Sequence, residues 1–478
     1  MPTHGVTRKV AEFTAGLRYE DLPAPVIEKA RVCLLDYFGY AMYGCRATPI
    51  NILFQTLADG GPCTVVGRTQ TVSPLAAAFV NGAMGHVAEM DDTHRLSMAH
   101  LGDSVIPVVL AVAEATGADA RRLIQAMVAG YDVAARAGEA VMPSHYYRGW
   151  HPSGSVNTLG TAAAAGNLLG LSVEQMQHAL GVAGTQITGN FAHMPERGMV
   201  KDFNPGRAAF SGLLAARLAQ NGFTGATDFM ENPMGLALFG ERVHEAAFLD
   251  RLGSHFKILE VSHKVYAACR HIHSAIDAAL EINARQRPAA DAVETVEVAS
   301  WSHLAKLCDD PEPWRDAWYG PRFSTQFNVA VALVHGEPAV QAMFDQNQIL
   351  RMLDDARVRE IVPKIRVTVD RSMDDQFPTL WPARVTLVLK DGQRVSVRKD
   401  LARGEPEVPV GYDDIVRKFR QLGDLEGMPG EIQTGLIEAA RRLPDVPVKE
   451  VTRLLRWNPP EREEAAHGRV AERAASPH

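Results

Sequence analysis

The sequence is short of paired cysteines, of long apolar runs and of positive charge, and each shortage excludes a class of protein. Its five cysteines, Cys33, Cys45, Cys63, Cys269 and Cys308, are widely separated and odd in number. That argues against a disulfide framework and for a reducing compartment, and the lack of a CxxC pair argues against an iron–sulfur cluster. No stretch approaches the roughly 20 apolar residues of a membrane span. The run 105–115 is short and is broken by Pro107 and Glu114. The opening MPTHGVTRKVAEFTAG lacks the apolar core of a signal peptide. A formal net charge of -7 and a pI near 6.2 leave no basic field for nucleic acid. A soluble, cytoplasmic protein that engages neither nucleic acid nor membrane is expected. An acidic protein that binds an anionic substrate must gather its cations locally, so cationic clusters become informative.

What is present is a long helical pattern followed by a change of period. The 478 residues suffice for two domains. Val26, Ala30, Cys33, Leu34, Tyr37 and Phe38 recur at helical spacing and the segment closes at Gly44. Further helices are expected over 75–89, 105–116 and 120–137, the last two separated by Gly117. Ser172-Val-Glu-Gln175 has the form of a capping box. Segments 161–169 and 208–219 are rich in Ala, Gly and Leu, small enough for helices to pack closely. After about residue 260 the period becomes that of strands. Segments 293–298, 364–370, 383–389 and 394–398 alternate apolar and polar residues, and Asp391-Gly392 signals a tight hairpin. Helical stretches 273–284 and 327–335 lie among them. The expected fold is mostly α: a large all-helical domain over 1–262, a smaller α+β lid domain over 263–405, helices of 406–457 rejoining the first domain, and a poorly ordered tail over 458–478.

Chemistry-bearing residues concentrate in a few segments. His86-Val-Ala-Glu-Met-Asp-Asp-Thr-His94 is followed by His100-Leu-Gly-Asp-Ser104. A general acid or base at His100, with Asp91, Asp92 and Thr93 orienting it, is one reading; helix capping by Asp92 and Thr93 is the other. The spacing matches no common metal-ligand pattern such as HExxH, so no metal ligand is assigned. Gly149-Trp-His151-Pro-Ser-Gly-Ser155 precedes the Ala-rich helix. Its backbone N–H groups could meet an anion with His151 above them, or form an ordinary N-cap. GSVNT is not a GxSxG nucleophile elbow. Two cationic segments, Lys201-Asp-Phe-Asn-Pro-Gly-Arg207 and His263-Lys264-Val-Tyr-Ala-Ala-Cys-Arg270-His271-Ile-His273, each precede an apolar helix. A cation beside the positive end of a helix dipole calls for an anion. With no P-loop or dinucleotide fingerprint, that anion is expected to be a carboxylate.

Together these stretches resemble the MmgE/PrpD family. The resemblance rests on GHVAEMDDTH, HPSGSVNTLGTAAAAGNLLGL, KDFNPGRAAFSGLLAARLAQNGFTG and KVYAACRHIHSAID, and spans roughly residues 8–455. It implies a homodimer, a site in a cleft between the two domains, and a small polycarboxylate substrate handled without a cofactor. By the same resemblance the acidic DDT segment is Asp91, Asp92 and Thr93, with its histidine at His100 and the HP-S-G histidine at His151. The two lysines are Lys201 and Lys264, with Arg270 and His271 in the CRH segment. Two departures bear on substrate choice. Phe327 stands where many members carry a tyrosine after FS-x-x, and Asn204 stands where relatives commonly carry histidine.

The chemistry implied is proton movement next to a carboxylate. Lys201, Lys264 and Arg270 would stabilise the charge that develops, and a histidine would move the proton. The expected catalytic set is His100, Asp91, Asp92, His151, Lys201 and Lys264, with Thr93, Arg270, His271, Arg207 and Phe327 binding substrate. A hydro-lyase of the 2-methylcitrate dehydratase kind comes first. A cis-aconitate-type decarboxylase and an iminodisuccinate-type epimerase are the alternatives, and a non-catalytic carboxylate-binding protein is the rival from another class. A zinc hydrolase built on the histidines of 86–100 would hold tightly bound metal.

Overall fold

Small side chains decide how the helical part packs. In the helix Asn157–Leu169, Ala162, Ala163, Ala164 and Ala165 are fully buried, and every other residue up to Leu168 is buried too. A helix apolar on all sides must be surrounded, and this one touches the helices Gly102–Thr116, Ala120–Val141, Val173–Gly184 and Val200–Gln220. A larger side chain there would overpack the layer, at a cost of about 1–3 kcal/mol. The computed structural model describes residues 5–194 and 198–460. The expected disordered tail lies, from 461 onward, outside the described residues.

The chain divides into two compact units, one running to Ser262 and resuming over Gly411–Pro460, the other spanning His263–Val410. In the first unit the helix Ala24–Gly44 packs against the helix Tyr412–Leu425. Ile415, Phe419 and Leu422 bury one face of the latter at i, i+4, i+7 spacing. On the same face Lys418 is buried, 2.7 Å from Asp36 Oδ1 and 2.6 Å from the carbonyl of Met90. A chain segment more than three hundred residues downstream thereby anchors the acidic loop. The capping box at Ser172 forms, Gln175 N–H donating to Ser172 Oγ at 3.2 Å and Ser172 N–H to Gln175 Oε1 at 3.0 Å.

The second unit contains a four-stranded sheet. Val293–Ser300 lies between the parallel strand Ile365–Val369 and the antiparallel strand Ala383–Leu389, and Arg394–Lys399 pairs antiparallel with the latter. Val298 opposes Val385, and Val385 opposes Val397, placing apolar side chains in register on the buried face. The helices His273–Gln286 and Thr325–His335 pack on each other and on this sheet. A mostly α protein with a smaller α+β part is therefore the observed class.

Three local expectations change. The helix expected over 75–89 is Pro74–Gly85 and ends four residues early. Beyond it Glu89 adopts φ 56° and Met98 φ 53°, so 86–101 is a loop that turns polar groups inward. The helix expected to follow Lys201–Arg207 already contains them, since it spans Val200–Gln220 with Pro205 inside. The segment after His151 forms a separate short turn, Pro152–Ser155, before the Ala-rich helix.

Candidate active site

The loop after Gly85 brings buried acids and histidines together because two glycines permit close approach. A Cβ at position 102 would lie 2.8 Å from both Tyr131 and Tyr40 hydroxyls and 2.9 Å from Asp92 Oδ2. A Cβ at position 85 would lie 2.7 Å from Asp103 Oδ1. With both positions bare, Asp92 accepts from Gly102 N–H at 2.9 Å and from the Tyr131 hydroxyl at 2.8 Å. Gly102 opens a helix whose N-cap is Leu101, so Asp92 satisfies its first free N–H from ten residues away rather than as the N-cap residue. Burial raises its carboxyl to about 6. Thr93 pairs with Ser262 in a two-residue antiparallel bridge, and its Oγ1 lies 3.3 Å from His100 Nδ1.

Contacts determine where each imidazole proton sits. His86 is fully buried, with Nε2 2.7 Å from Lys201 Nζ and Nδ1 2.7 Å from Asp91 Oδ2 and 3.0 Å from Asp103 Oδ2. An ammonium can only donate, so Nε2 accepts and Nδ1 carries the hydrogen. Burial, then the charge of Lys201, depresses this histidine to about 4 and keeps it neutral. His100 Nδ1 lies 2.8 Å from the carbonyl of Asp92 and 2.9 Å from Asp91 Oδ2. A carbonyl cannot donate, so Nδ1 carries the hydrogen and the lone pair of the neutral ring is on Nε2. Its backbone is clamped: the N–H donates to Ser153 Oγ at 3.0 Å, and the carbonyl accepts from Asn157 Nδ2 at 2.7 Å.

His151 faces the same cluster, its ring 5.3 Å from that of His86 and 5.0 Å from Phe191. Asn204 Nδ2 lies 2.9 Å from His151 Nδ1, and an amide donating there leaves the hydrogen on Nε2. Burial, then His86, holds this histidine well below its ordinary value. Lys201, in the first turn of its helix, is ion-paired with buried Glu89. Asn204 is three residues on and shares its face, whereas Arg207, six residues on, is about 240° around the helix. The Arg207 guanidinium lies over Phe210.

Residues 8–245 match the MmgE/PrpD N-terminal domain and 266–433 the MmgE/PrpD C-terminal domain. The chain belongs to the MmgE/PrpD family. Among curated relatives of this MmgE/PrpD protein, the cis-aconitate decarboxylase of Aspergillus terreus is 28% identical over 448 residues, 87% of this chain and 89% of the relative. The cis-aconitate decarboxylase of Mus musculus is 27% identical over 445 residues, 88% and 87% of the two chains. That of Homo sapiens is 27% identical over 444 residues, 88% of each.

The predicted residues of this MmgE/PrpD protein fall into two groups. His100, Asp91, Asp92, Thr93, His151 and Lys201 lie in the first unit and are joined by the contacts above. Lys264, Arg270, His271 and Phe327 lie in the second unit. Lys264 is fully buried. Arg270 is engaged within its own unit. Its Nε and Nη2 donate to Glu405 Oε1 at 3.0 and 2.7 Å, and its Nη1 lies 2.9 Å from His273 Nδ1 and donates to the Arg403 carbonyl at 3.1 Å. His271 stacks on Trp381 at 4.6 Å, with Cys269 Sγ 3.1 Å from its Nδ1. Phe327 is a buried residue of the helix Thr325–His335, its N–H capped by Ser324 Oγ.

Sequence reasoning left Glu89, His86, Asp103, Ser153 and Asn157 without roles. All except Asn157 stand two to five residues from a named candidate, and nothing in the sequence indicates the positive φ of Glu89 or the burial of Asp103. Of the two readings of the backbone after His151, the helix-start reading is the one its contacts favour, since Gly154 and Ser155 N–H donate to the His151 carbonyl at 3.0 and 3.1 Å. Two groups of metal-ligating atoms lie within 4.8 Å: His86, Asp91 and His100, and His94, Glu139 and Glu260. In the first, a cation would have to displace the hydrogens of both rings from Asp91. In the second, Lys257 Nζ already lies 2.7 Å from Glu139 and 3.1 Å from Glu260. Hydrogen bonds and ion pairs account for both, and no metal site is assigned. Among the described residues no helix is long and apolar enough to cross a membrane.

Proposed function

We propose that this chain is a lyase that acts, without a cofactor, next to a carboxylate of a small polycarboxylic acid. The observation that carries the reading is His100. Asp91 and the Asp92 carbonyl hold its Nδ1–H, so that Nε2 is a base of fixed orientation. This is the logic of a carboxylate that orients a catalytic histidine. His151 is the complementary group, offering an Nε2–H as donor. Lys201 places positive charge where a carboxylate substrate gains an enolate-like second charge, and the buried setting strengthens that stabilisation. Asp92 and Thr93 orient the loop, and Lys264 is retained as a second cation for substrate.

Decarboxylation is put first. The relatives that span 87–88% of this chain carry that name, and the reaction uses these groups economically. The bond to the departing carboxylate breaks, its electron pair passes into the carbon frame beside the remaining carboxylate, and a histidine returns a proton to carbon. Dehydration is the second reading, favoured by the joint presence of an acceptor at His100 and a donor at His151. There the base removes the α proton and the acid accompanies the leaving hydroxyl. The test is proton NMR of chelator-treated protein in deuterated buffer with cis-aconitate, 2-methylcitrate, citrate and iminodisuccinate. Carbon dioxide release with deuterium on carbon establishes the first reading, and alkene formation from a hydroxy acid establishes the second. Tight substrate binding with neither turnover nor exchange would mean a carboxylate-binding protein.

A further inference from the structure

Asp103 is a buried acid to which the reading above gives no task. It is the second residue of the helix Gly102–Thr116 and is fully buried. Its Oδ2 lies 3.0 Å from the His86 Nδ1 that Asp91 Oδ2 meets at 2.7 Å, so the two carboxyls converge on one ring nitrogen. The titratable groups facing it are Asp91 and Asp92 on the loop, His86 at the end of its helix, Lys201, and the hydroxyls of Tyr37, Tyr40 and Tyr131. Lys201 is the cation of that set and is already ion-paired with Glu89. Two carboxyls that converge on one N–H in a dry site do not both ionise. Asp91 meets the N–H groups of both His86 and His100, whereas Asp103 shares only the first. The negative charge therefore resides on Asp91 and the shared proton on Asp103.

Building on the assignment of His100 as base, we propose that Asp103 is a positioning residue whose O–H donates to Asp91. That bond keeps the Asp91 carboxylate turned toward His100 Nδ1 and draws off part of its charge. His100 then keeps its orientation, but its imidazolium is held less tightly than by a bare carboxylate, so the captured proton can be returned to complete the turnover. Burial, and then the charge of Asp91, raise the Asp103 carboxyl well above the ordinary carboxylate range, in keeping with this arrangement.

Asp103→Asn replaces the O–H donor by a weaker N–H donor without changing charge. It is expected to lower kcat roughly two- to fivefold, about the net worth of one hydrogen bond, and to leave the acid limb of the pH–kcat/KM profile in place. If Asp103 were ionised, the same variant would delete a negative charge and move that limb down by about one pH unit or more, which overturns the proposal. Asp103→Leu removes the donor, and the limb is expected to move up by about one unit. An unmoved limb with unchanged kcat would make Asp103 merely structural. Should the leucine variant fail to fold, infrared difference spectra of wild type and Asp103→Asn at neutral pH answer alone. A carboxylic-acid C=O band that shifts in D2O and vanishes in the variant supports the proposal, and its absence from the wild type overturns it. Retained activity in His100→Ala would overturn the base assignment instead, while the infrared band still reports on Asp103.

Discussion

Two segments of this chain look alike as sequence and differ as structure. The segments 86–103 and 264–273 both crowd histidines with charged residues. In the first, a lysine, a carbonyl and a carboxylate fix which ring nitrogens donate and accept, so that Lys201, His86, Asp91 and His100 form one hydrogen-bonded line. In the second, Arg270 is clamped to Glu405, and His271 stacks on Trp381. The lesson is that residue types identify candidates, but what each nitrogen touches separates a histidine held in one tautomer from one packed on an aromatic ring.

Several changes would break or sharpen that contrast. The largest effect is expected from His100→Ala, which should reduce kcat by roughly 10²–10⁴-fold, the usual contribution of a general acid or base. Its melting temperature should stay within a few degrees of wild type, and unaltered turnover would remove His100 from the mechanism. Arg270→Leu should act on stability instead. It takes from buried Glu405, 2% exposed, the guanidinium that pairs with it, and urea titration should show a loss of about 3–5 kcal/mol. A stable variant with a raised KM would instead return Arg270 to substrate binding and erase the contrast.

A third effect concerns pH. Asp92, held at about 6 by burial, binds a proton more readily folded than unfolded, so its contribution to stability falls as pH rises from about 4 to 6. His86, depressed to about 4, runs the other way: the unfolded chain binds its proton first, and stability is lost as pH falls from 6.5 toward 4. The two slopes oppose each other in one window. Asp92→Asn removes the first, so acidification from pH 6.5 to 4.5 should cost the variant about 2 kcal/mol more than wild type, at roughly 1.4 kcal/mol per pH unit. Urea midpoints at the two pH values check this, and equal losses in both proteins would mean that Asp92 is ionised throughout. The smallest effect belongs to Asn204→Ala, which frees the tautomer of His151 and forfeits one hydrogen bond. A fall in kcat of about two- to tenfold is expected, with KM little changed; a changed KM alone would make Asn204 a substrate contact.

Much of the fold could be read directly. The strands Val293–Ser300, Ile365–Val369, Ala383–Leu389 and Arg394–Lys399 stand where alternation placed them, and the Ser172 box formed as its spacing indicated. Periodicity reports which faces are buried, and burial is what stabilises these elements. The early stop at Gly85 was not legible, because the apolar pattern runs on through Val87, Ala88 and Met90, all of them buried in a loop. For Lys201, the search for an anion was sound, yet a first one proved to be internal: Glu89. It lies 112 positions away in sequence, and its backbone conformation carries no local signature.

The sequence by itself determined the family, the mostly α class with its change of period near residue 260, and a short set of candidate acids, histidines and cations. It could do so because composition, period and motif are local properties of a chain. Tertiary structure alone decided which of those groups meet, which ring nitrogen carries its proton, and that Lys418 braces the acidic loop through the carbonyl of Met90. Those outcomes depend on contacts a few ångströms long between residues tens to hundreds of positions apart, and on how thoroughly water is excluded around them.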